Sequence, residues 1–240
     1  MTEENEFSRG MVVVAHADDA EFGCSGTVAR LCADGFEMVY VMCTDGSKGT
    51  SDPAISSEKL AKIRRQEQIN AGKELGLKKV EFLDYPDGYL QPTLELRKDI
   101  ARQIRRHKPD ILICQYPMRT LDGFWGVGHP DHMAAGEAAL SAVFPTARDH
   151  LTFPELFYDE GLETHKVAEV WIMGHPNPDH YVDVSESLGT AVKAVMKHES
   201  QMSGRDEAFM TERLQTGRRE TAKGKGMQYA EAFKKITMRR

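Results

Sequence analysis

A short apolar run near the N-terminus ends abruptly in titratable side chains, and this junction most restricts the folds open to the chain. The run at 11–15 is rich in β-branched residues and predicts a buried strand. His16, Asp18, Asp19 and Glu21 follow it at once, and small residues that can open a helix come next. A strand that ends in polar residues before a helix is typical of an open α/β sheet, where ligands bind at the carboxyl ends of strands.

Strand and helix signals alternate along the first two-thirds of the chain. Strands are predicted at 11–15, 37–43, 80–83, 110–114 and 167–173. Helices are predicted at 23–33, 56–75, 94–107, 132–142 and 185–198. Strands separated by helices form parallel sheets through right-handed crossovers. We therefore expect an α/β fold with a mostly parallel sheet and helices on both faces, although the pattern does not give the strand order.

The chain is expected to fold as a single domain with a C-terminal cap-like segment. Its 240 residues contain no internal repeat and no clean linker, so residues 11–240 are assigned to the domain and 1–10 to a polar tail. The segment 200–226 is polar and rich in Gly, Arg and Lys, which predicts a mobile loop or cap. A closing helix is predicted at 227–236.

Charge and composition argue against several classes of partner. The formal net charge is −6, and the basic stretches 102–108 and 218–225 are typical of a solvated helix face and a loop, so no nucleic acid partner is expected. No apolar run could span a membrane and the N-terminus lacks a signal-like pattern, so we expect a cytoplasmic protein with no membrane partner. Four cysteines without CxxC spacing are expected to be buried, reduced thiols, namely Cys24, Cys32, Cys43 and Cys114.

The cluster after the first strand offers ligands for a metal ion. His16 and Asp19 can bind one ion only if the loop curls back, and Asp18 would then lie beside the ion without binding it. Two imidazoles, one carboxylate and a second carboxylate as base make up a catalytic zinc site. The alternative for Asp18 or Asp19 is an ordinary helix N-cap.

A second histidine pair, His129 and His132, follows the strand predicted at 110–114. Pro130 favours a first helical position, which would place His132 in the first turn of a helix. The pair can supply two ligands, or one ligand and one acid or oxyanion donor, and Asp131 can orient an imidazole. The other histidines lack partners at ligand spacing and are expected at the surface or at helix caps: His107, His150, His165, His175, His180 and His198.

Two motifs resemble those of a known family. The stretch AHADDAEFGCSGT at 15–27 resembles the AHPDD(E/x)E-x-G-x-GGT signature of the PIG-L/LmbE-like zinc-dependent N-deacetylases, and GHPDH at 128–132 matches the second signature of that family. The resemblance spans about 11–235 and favours the bacillithiol-type LmbE branch. Weaker family features occur at Thr44-Asp45-Gly46, Arg64 and Glu67, Pro86-Asp87-Gly88, 198–201 and 229–233.

The resemblance implies a Rossmann-like sheet and a definite metal site. Zinc would be held by His16, Asp19 and His132, and Asp18 would be the general base. Ala17 stands where the family usually has Pro, a change that removes no ligand.

The resemblance also implies roles around the metal. A protonated His129 would stabilise charge in the transition state, and Arg64 and Asp87 would contact a sugar. Some family members carry a Tyr or Arg near the second motif, whereas 125–128 here read Trp-Gly-Val-Gly.

The function implied is hydrolysis of an N-acetyl group on a small N-acetylglucosamine-containing amino sugar, using Zn²⁺ or another divalent ion such as Fe²⁺, by a homo-oligomer. One alternative is a zinc amidase acting on a thiol conjugate or antibiotic precursor, which a substrate panel separates. Another is a non-catalytic Rossmann-type nucleotide-binding module. It is disfavoured because no GxGxxG follows the first strand and the carboxylates there would repel a pyrophosphate. Measuring the bound metal would distinguish this nucleotide-binding module, which needs no zinc, from the two metal-dependent enzymes.

Overall fold

The computed structural model describes residues 7–121 and 127–239. Across these residues runs a seven-stranded sheet in the order β3-β2-β1-β4-β5-β7-β6. The strands are β1 Arg9–Val14, β2 Glu37–Thr44, β3 Lys79–Tyr85, β4 Ile111–Gln115, β5 Glu169–Met173, β6 His180–Asp183 and β7 Ala230–Thr237. Strands β3, β2, β1, β4 and β5 are parallel, and β7 is antiparallel to both of its neighbours.

Helices cover both faces of the sheet, which confirms the predicted α/β class. They are α1 Asp19–Ala33, α2 Ser57–Leu75, α3 Leu94–His107, α4 Pro130–Val143, α5 Pro154–Tyr158, α6 Leu188–Val195, α7 Glu199–Met202 and α8 Glu207–Thr221. Helices α3 and α4 pack on one face, and α1, α2 and α6 pack on the other. In the described residues no helix is long and apolar enough to cross a membrane.

Local sequence signals explain the best-predicted elements. The Ser56 side chain caps α2 and the Thr93 side chain caps α3, each by accepting from a backbone N–H three residues on. Gly76 ends α2 in the left-handed conformation that glycine favours. Strand β1 is buried over 10–14 because a central parallel strand has helices on both of its faces.

Several boundaries differ from the prediction. Strand β1 begins at Arg9, inside the predicted tail 1–10, of which residues 1–6 lie outside the described part of the chain. Helix α1 begins at Asp19 rather than at 23, and it is kinked at Cys24, whose φ is −151°. The first residue of α1, Asp19, is therefore also one of the candidate metal ligands.

Two predictions for residues 200–240 differ from the structure. The predicted helix 227–236 is strand β7, because antiparallel pairing with β5 and β6 overrides the helical preference of its Ala, Glu and Lys residues. The segment 200–226, predicted as a mobile loop or cap, contains α8, whose Met210 and Leu214 are buried in a cluster with α6. Strand β7 joins the sheet between β5 and β6, and α8 packs against α6 and β7.

The two basic stretches are not simply solvated. Arg105 is 1% exposed and Arg218 is 8% exposed. The Arg105 guanidinium donates to the carbonyls of Thr146 and Asp149, and so holds the loop after α4. Long polar side chains can be buried when their donors meet carbonyls or carboxylates.

The four cysteines are free, as expected. Cys24, Cys43 and Cys114 are buried, whereas Cys32 is partly exposed. Burial raises the pKa of the Cys114 thiol to about 12. The three buried thiols are therefore unreactive core residues, whereas the predicted burial of Cys32 was wrong.

A buried ion pair joins the C-terminal elements to α1. Glu231 of β7 accepts from Arg218 Nη2 at 2.8 Å and from the backbone N–H groups of Gly26 at 3.1 Å and Thr27 at 2.7 Å. These N–H groups lie just after the kink at Cys24, where the helical hydrogen bonding is interrupted. The Glu231 carboxylate thus neutralises the buried Arg218 guanidinium and accepts from N–H groups at the interruption of α1.

We predict that Glu231→Ala destabilises the protein by about 3–5 kcal/mol, because it leaves the Arg218 guanidinium buried without its counter-charge. Glu220→Ala removes an exposed partner of Lys223 and is the matched control, expected to cost at most about 1 kcal/mol. Urea unfolding followed by circular dichroism measures both. Equal midpoints for the two variants would contradict the structural role of Glu231.

Candidate active site

A cavity of about 870 Å³ opens at the carboxyl edge of the sheet. The ends of β4 and β5 form its floor, the first turns of α1 and α4 form one side, and α8 forms the other. Carboxyl ends of adjacent parallel strands are the usual ligand site of open α/β sheets. The cavity therefore lies where the sequence predicts the site.

Asp19 lies between two imidazoles. Its Oδ1 is 3.0 Å from His132 Nε2 and its Oδ2 is 3.3 Å from His16 Nδ1. The loop after β1 curls back, as the prediction required, because the His16 backbone N–H donates to Asp19 Oδ2 at 2.7 Å. Pro130 occupies the first turn of α4 and so brings His132 to the same point.

Two further carboxylates lie on the opposite side of the His16 ring. Nε2 of His16 is 3.1 Å from Asp131 Oδ2 and 3.2 Å from Asp87 Oδ1. Asp131 is itself held by the N–H groups of Gly88 at 2.7 Å and Leu90 at 3.2 Å. Burial alone would lower the pKa of His16, but its carboxylate partners raise it to about 12. An acceptor behind a histidine is the arrangement that orients metal-ligating imidazoles.

This donor set fits a divalent metal ion. Two imidazole nitrogens and one carboxylate oxygen are typical of catalytic zinc, and also of iron(II) sites. Burial would raise the pKa of Asp19, but His132 and His16 hold it well below its usual range, so the carboxylate stays ionised. A second combination, His16 with His129 and His132, places one nitrogen atom of each ring within 4.8 Å of the others.

His129 caps α4. Its Nδ1 accepts from the Asp131 N–H at 3.1 Å, so a neutral ring carries its proton on Nε2. Burial lowers the pKa of His129, and the nearby His16 and His132 lower it further. These contacts oppose the protonated ring expected from the sequence, while leaving one N–H donor in the cavity wall.

Asp18 occupies the N-cap position of α1 but does not act as a cap. In the described part of the chain its side chain makes no capping hydrogen bond, and its φ of 86° is left-handed. The residue lines the cavity beside Asp19. Burial and the Asp19 charge raise the pKa of Asp18 to about 8, against the opposing effect of His198. A pKa near neutrality suits a group that takes up and returns a proton.

The two predicted sugar contacts are neighbours, with Arg64 Nη1 3.7 Å from Asp87 Oδ2, but they differ in their relation to the cavity. Arg64 lines the cavity and donates to the carbonyls of Gly46 and Lys48, and its buried Nε has no hydrogen-bond partner among the described residues. Asp87 lies behind His16 rather than among the described residues that line the cavity. Glu67, on the same helix as Arg64, accepts from Ser200, and the carboxylate that lies against Arg64 is that of Asp87, which follows β3.

A group of buried polar side chains around Glu21 was not predicted from the sequence. His198, expected at the surface or at a cap, is 0% exposed and its Nε2 lies 3.3 Å from Glu21 Oε2. Gln68 of α2 is also buried and donates to Glu21 at 2.8 Å. The only signal was the family-like segment 198–201. Positions 125 and 126, noted beside the second motif, lie outside the described residues.

Comparisons with known proteins identify a family and several relatives of this chain. The PIG-L family, described as GlcNAc-PI de-N-acetylase, matches residues 11–143. The chain is 33% identical to diacetylchitobiose deacetylase of Thermococcus kodakarensis over 197 residues, which cover 82% of this chain and 71% of that protein. It is 28% identical over 202 residues to a probable N-acetyl-alpha-D-glucosaminyl L-malate deacetylase 2 of Bacillus anthracis, covering 80% and 81%.

A solved structure shows the same fold. The N,N'-diacetylchitobiose deacetylase of Pyrococcus horikoshii superposes with a TM-score of 0.87 and 27% sequence identity, over 97% of this chain and 85% of that one. The superposition extends past residue 143, so the likeness includes the C-terminal elements that the sequence analysis mispredicted.

We predict that each chain binds one divalent ion through His16, Asp19 and His132. His132→Ala and Asp19→Ala should each lower the bound metal sharply, because two protein ligands hold such an ion poorly. Inductively coupled plasma mass spectrometry of dialysed protein measures the metal-to-chain ratio. Full occupancy in His132→Ala would contradict the ligand set.

His129→Ala separates the two combinations of ligands. If Asp19 completes the set, this variant keeps its metal and loses turnover by roughly 10²-fold, as expected for loss of an oxyanion or acid group. Loss of metal from His129→Ala would instead assign the site to the three imidazoles.

Proposed function

The chain belongs to the PIG-L family, and on this premise we propose that it hydrolyses the acetamide of a small N-acetylglucosamine derivative, releasing acetate and the free amine. The observation that carries the proposal is the meeting of Asp19 with His16 and His132 beside Asp18, whose side chain makes no helix-capping hydrogen bond in the described chain. A separate carboxylate next to a metal-ligand set is what hydrolysis requires.

The metal proposed for the site is Zn²⁺, and Fe²⁺ fits the same donors. When bound, such an ion supplies Lewis-acid polarisation of a carbonyl and makes water a stronger acid. Asp131 and Asp87 hold the ring of the ligand His16 through Nε2, and so fix which nitrogen faces Asp19.

The chain's own residues handle the protons. Asp18 takes one proton from the water that attacks the acetamide carbon, and the new C–O bond leaves an oxyanion on that carbon. The Nε2–H of a neutral His129 donates to this oxyanion. Asp18 then returns its proton to the departing nitrogen as the C–N bond breaks, so the products are acetate and the amine.

The cavity suits a small sugar derivative. Its volume of about 870 Å³ falls in the range of small-molecule sites. Arg64, Thr50 and Ser51 line the cavity, and a guanidinium and hydroxyls are groups that bind sugar hydroxyls. The position of Asp87 supports a role in holding His16 in place of the predicted sugar contact.

The nucleotide-binding alternative gains no support from this geometry. In dinucleotide-binding folds the N-terminus of the first helix binds a pyrophosphate. Here the carboxylates of Asp18, Asp19 and Glu21 lie at the start of α1, and they would repel it.

Release of free amine from a panel of N-acetylglucosaminides tests the proposed function. The panel varies the aglycone and includes one derivative with a large acyl group in place of acetyl. We expect equal amounts of acetate and amine from the acetylated sugars with metal-loaded enzyme. Turnover restricted to the large acyl amide would indicate the amidase alternative, and no turnover would contradict the proposal.

Asp18→Asn tests the general base. The amide retains the size of the carboxylate but cannot take up a proton, so we expect turnover to fall by roughly 10²–10⁴-fold. Amine release under saturating substrate measures it, alongside metal content and thermal unfolding, both expected to match the wild type.

Asp34→Asn, at the other end of α1, is the matched control and should retain full turnover, because Asp34 is exposed. Near-normal turnover by metal-loaded Asp18→Asn would remove the assignment of Asp18 as base.

A further inference from the structure

One peptide group beside the candidate metal ligands is held by two side-chain amides, one on its N–H and one on its carbonyl. The Asp18 N–H donates to Gln68 Oε1 at 3.3 Å, and Gln201 Nε2 donates to the Ala17 carbonyl at 2.9 Å. The N–H and the carbonyl belong to the single peptide unit between Ala17 and Asp18. Rotation of this unit would therefore break both hydrogen bonds.

Asp18, which follows this peptide unit, has a backbone conformation that is uncommon for residues other than glycine. Asp18 has φ 86° and ψ −21°, in the left-handed region, which few non-glycine residues adopt. In the described chain its side chain makes no capping hydrogen bond, whereas its backbone N–H donates to Gln68 and its carbonyl accepts from the Phe22 N–H. Strained backbone of this kind is characteristic of functional sites.

Gln68 can present only its oxygen to Asp18. Its amide nitrogen donates to Glu21 Oε1 at 2.8 Å, and a carboxylate can accept but not donate. Flipping the Gln68 amide would place two acceptors against each other at Glu21 and two donors against each other at Asp18. The buried Glu21 thus sets the orientation of the Gln68 amide.

Gln201 is anchored to α2 by its neighbour. The Ser200 N–H and hydroxyl donate to the two carboxylate oxygens of Glu67, both at 2.7 Å. His198, which begins the same short segment, is buried against Glu21, and its carbonyl accepts from the Gln201 N–H at 2.9 Å. A four-residue helix has little stability of its own, so these contacts fix its position.

We propose that Gln68 and Gln201 are positioning residues that hold the Asp18 backbone so that its carboxylate faces the cavity. This amide clamp, defined by Gln68 and Gln201, rests on the proposed role of Asp18 as base. It acts on turnover through the Asp18 geometry, and therefore differs from a contact that binds substrate or only stabilises α7.

The expected effect is on kcat rather than on KM. A displacement of about 1 Å in a catalytic group can cost roughly 10²-fold in rate. Gln201→Met keeps the length of the side chain and removes the donor, so one side of the clamp is lost. We expect kcat to fall by roughly 10–100-fold, with KM within about threefold of wild type and metal content unchanged.

A double-mutant cycle with Asp18→Asn isolates the coupling. If Gln201 acts through Asp18, Gln201→Met should change the residual turnover of Asp18→Asn less than about twofold, because residues acting as one unit are not additive. Gln66→Met is the matched control, since Gln66 is exposed on α2 and bonds Asn70. It should leave kcat unchanged.

A readout without substrate keeps the inference separate from the proposed function. Hydrogen exchange of the Asp18 amide, followed by NMR, should be at least about 10-fold faster in Gln201→Met than in wild type or Gln66→Met, because the clamped peptide opens more often. Wild-type amine release tests the function, whereas this exchange rate tests the clamp whether or not the enzyme turns over the chosen sugar. Gln201→Ala serves as the second variant if Gln201→Met does not fold.

Three results with Gln201→Met would overturn the inference. Hydrogen exchange of the Asp18 amide could be unchanged, or kcat could fall by the same factor in the wild-type and in the Asp18→Asn background. The third such result is a rise in KM with kcat unchanged. The last would make Gln201 a substrate contact.

Discussion

The site depends on the carboxylate of Asp19, which joins three elements of the fold. It accepts from the backbone of the loop after β1, it opens α1, and its oxygens face His16 and His132. An ionised carboxylate is expensive to bury, and the two imidazoles supply the compensating interactions. Removing either imidazole would leave the buried Asp19 carboxylate with one compensating partner fewer, so the proposed metal ligands also stabilise the loop after β1.

Negative charge is concentrated around this point, because the ends of adjacent parallel strands meet there. Asp18, Glu21, Asp87 and Asp131 all lie at the same edge, and the last three each face an imidazole, an arginine or a backbone N–H. Buried ion pairs of this kind contribute little to net stability, since desolvation offsets attraction. Their clustering at a cavity is better explained by chemistry than by folding.

The C-terminal third completes the site instead of merely covering it. Helix α8 forms a wall of the cavity, and Arg218 and Glu231 fasten it and β7 to the kinked part of α1. The segment around His198 reaches back to the peptide before Asp18. The base proposed for the reaction, near the N-terminus, is thus held by residues 180 positions further along the chain.

Sequence by itself determined the class of fold and placed the candidate ligands at a strand end. Helical periodicity predicted α3 with the bounds that the structure has, and the motif at 15–27 follows the first predicted strand directly with His16 and Asp19. These features are local, because caps and periodicity depend on residues a few positions apart.

Tertiary structure decided what depends on distant partners. Strand β7 exists because β5 and β6 offer edges for pairing, against the preference of its own residues for helix. His198 is buried, 3.3 Å from Glu21 of α1, and Asp87 reaches His16 from the end of β3, which pairs with β2. No local signal carries such information, because these neighbours are far apart in the sequence.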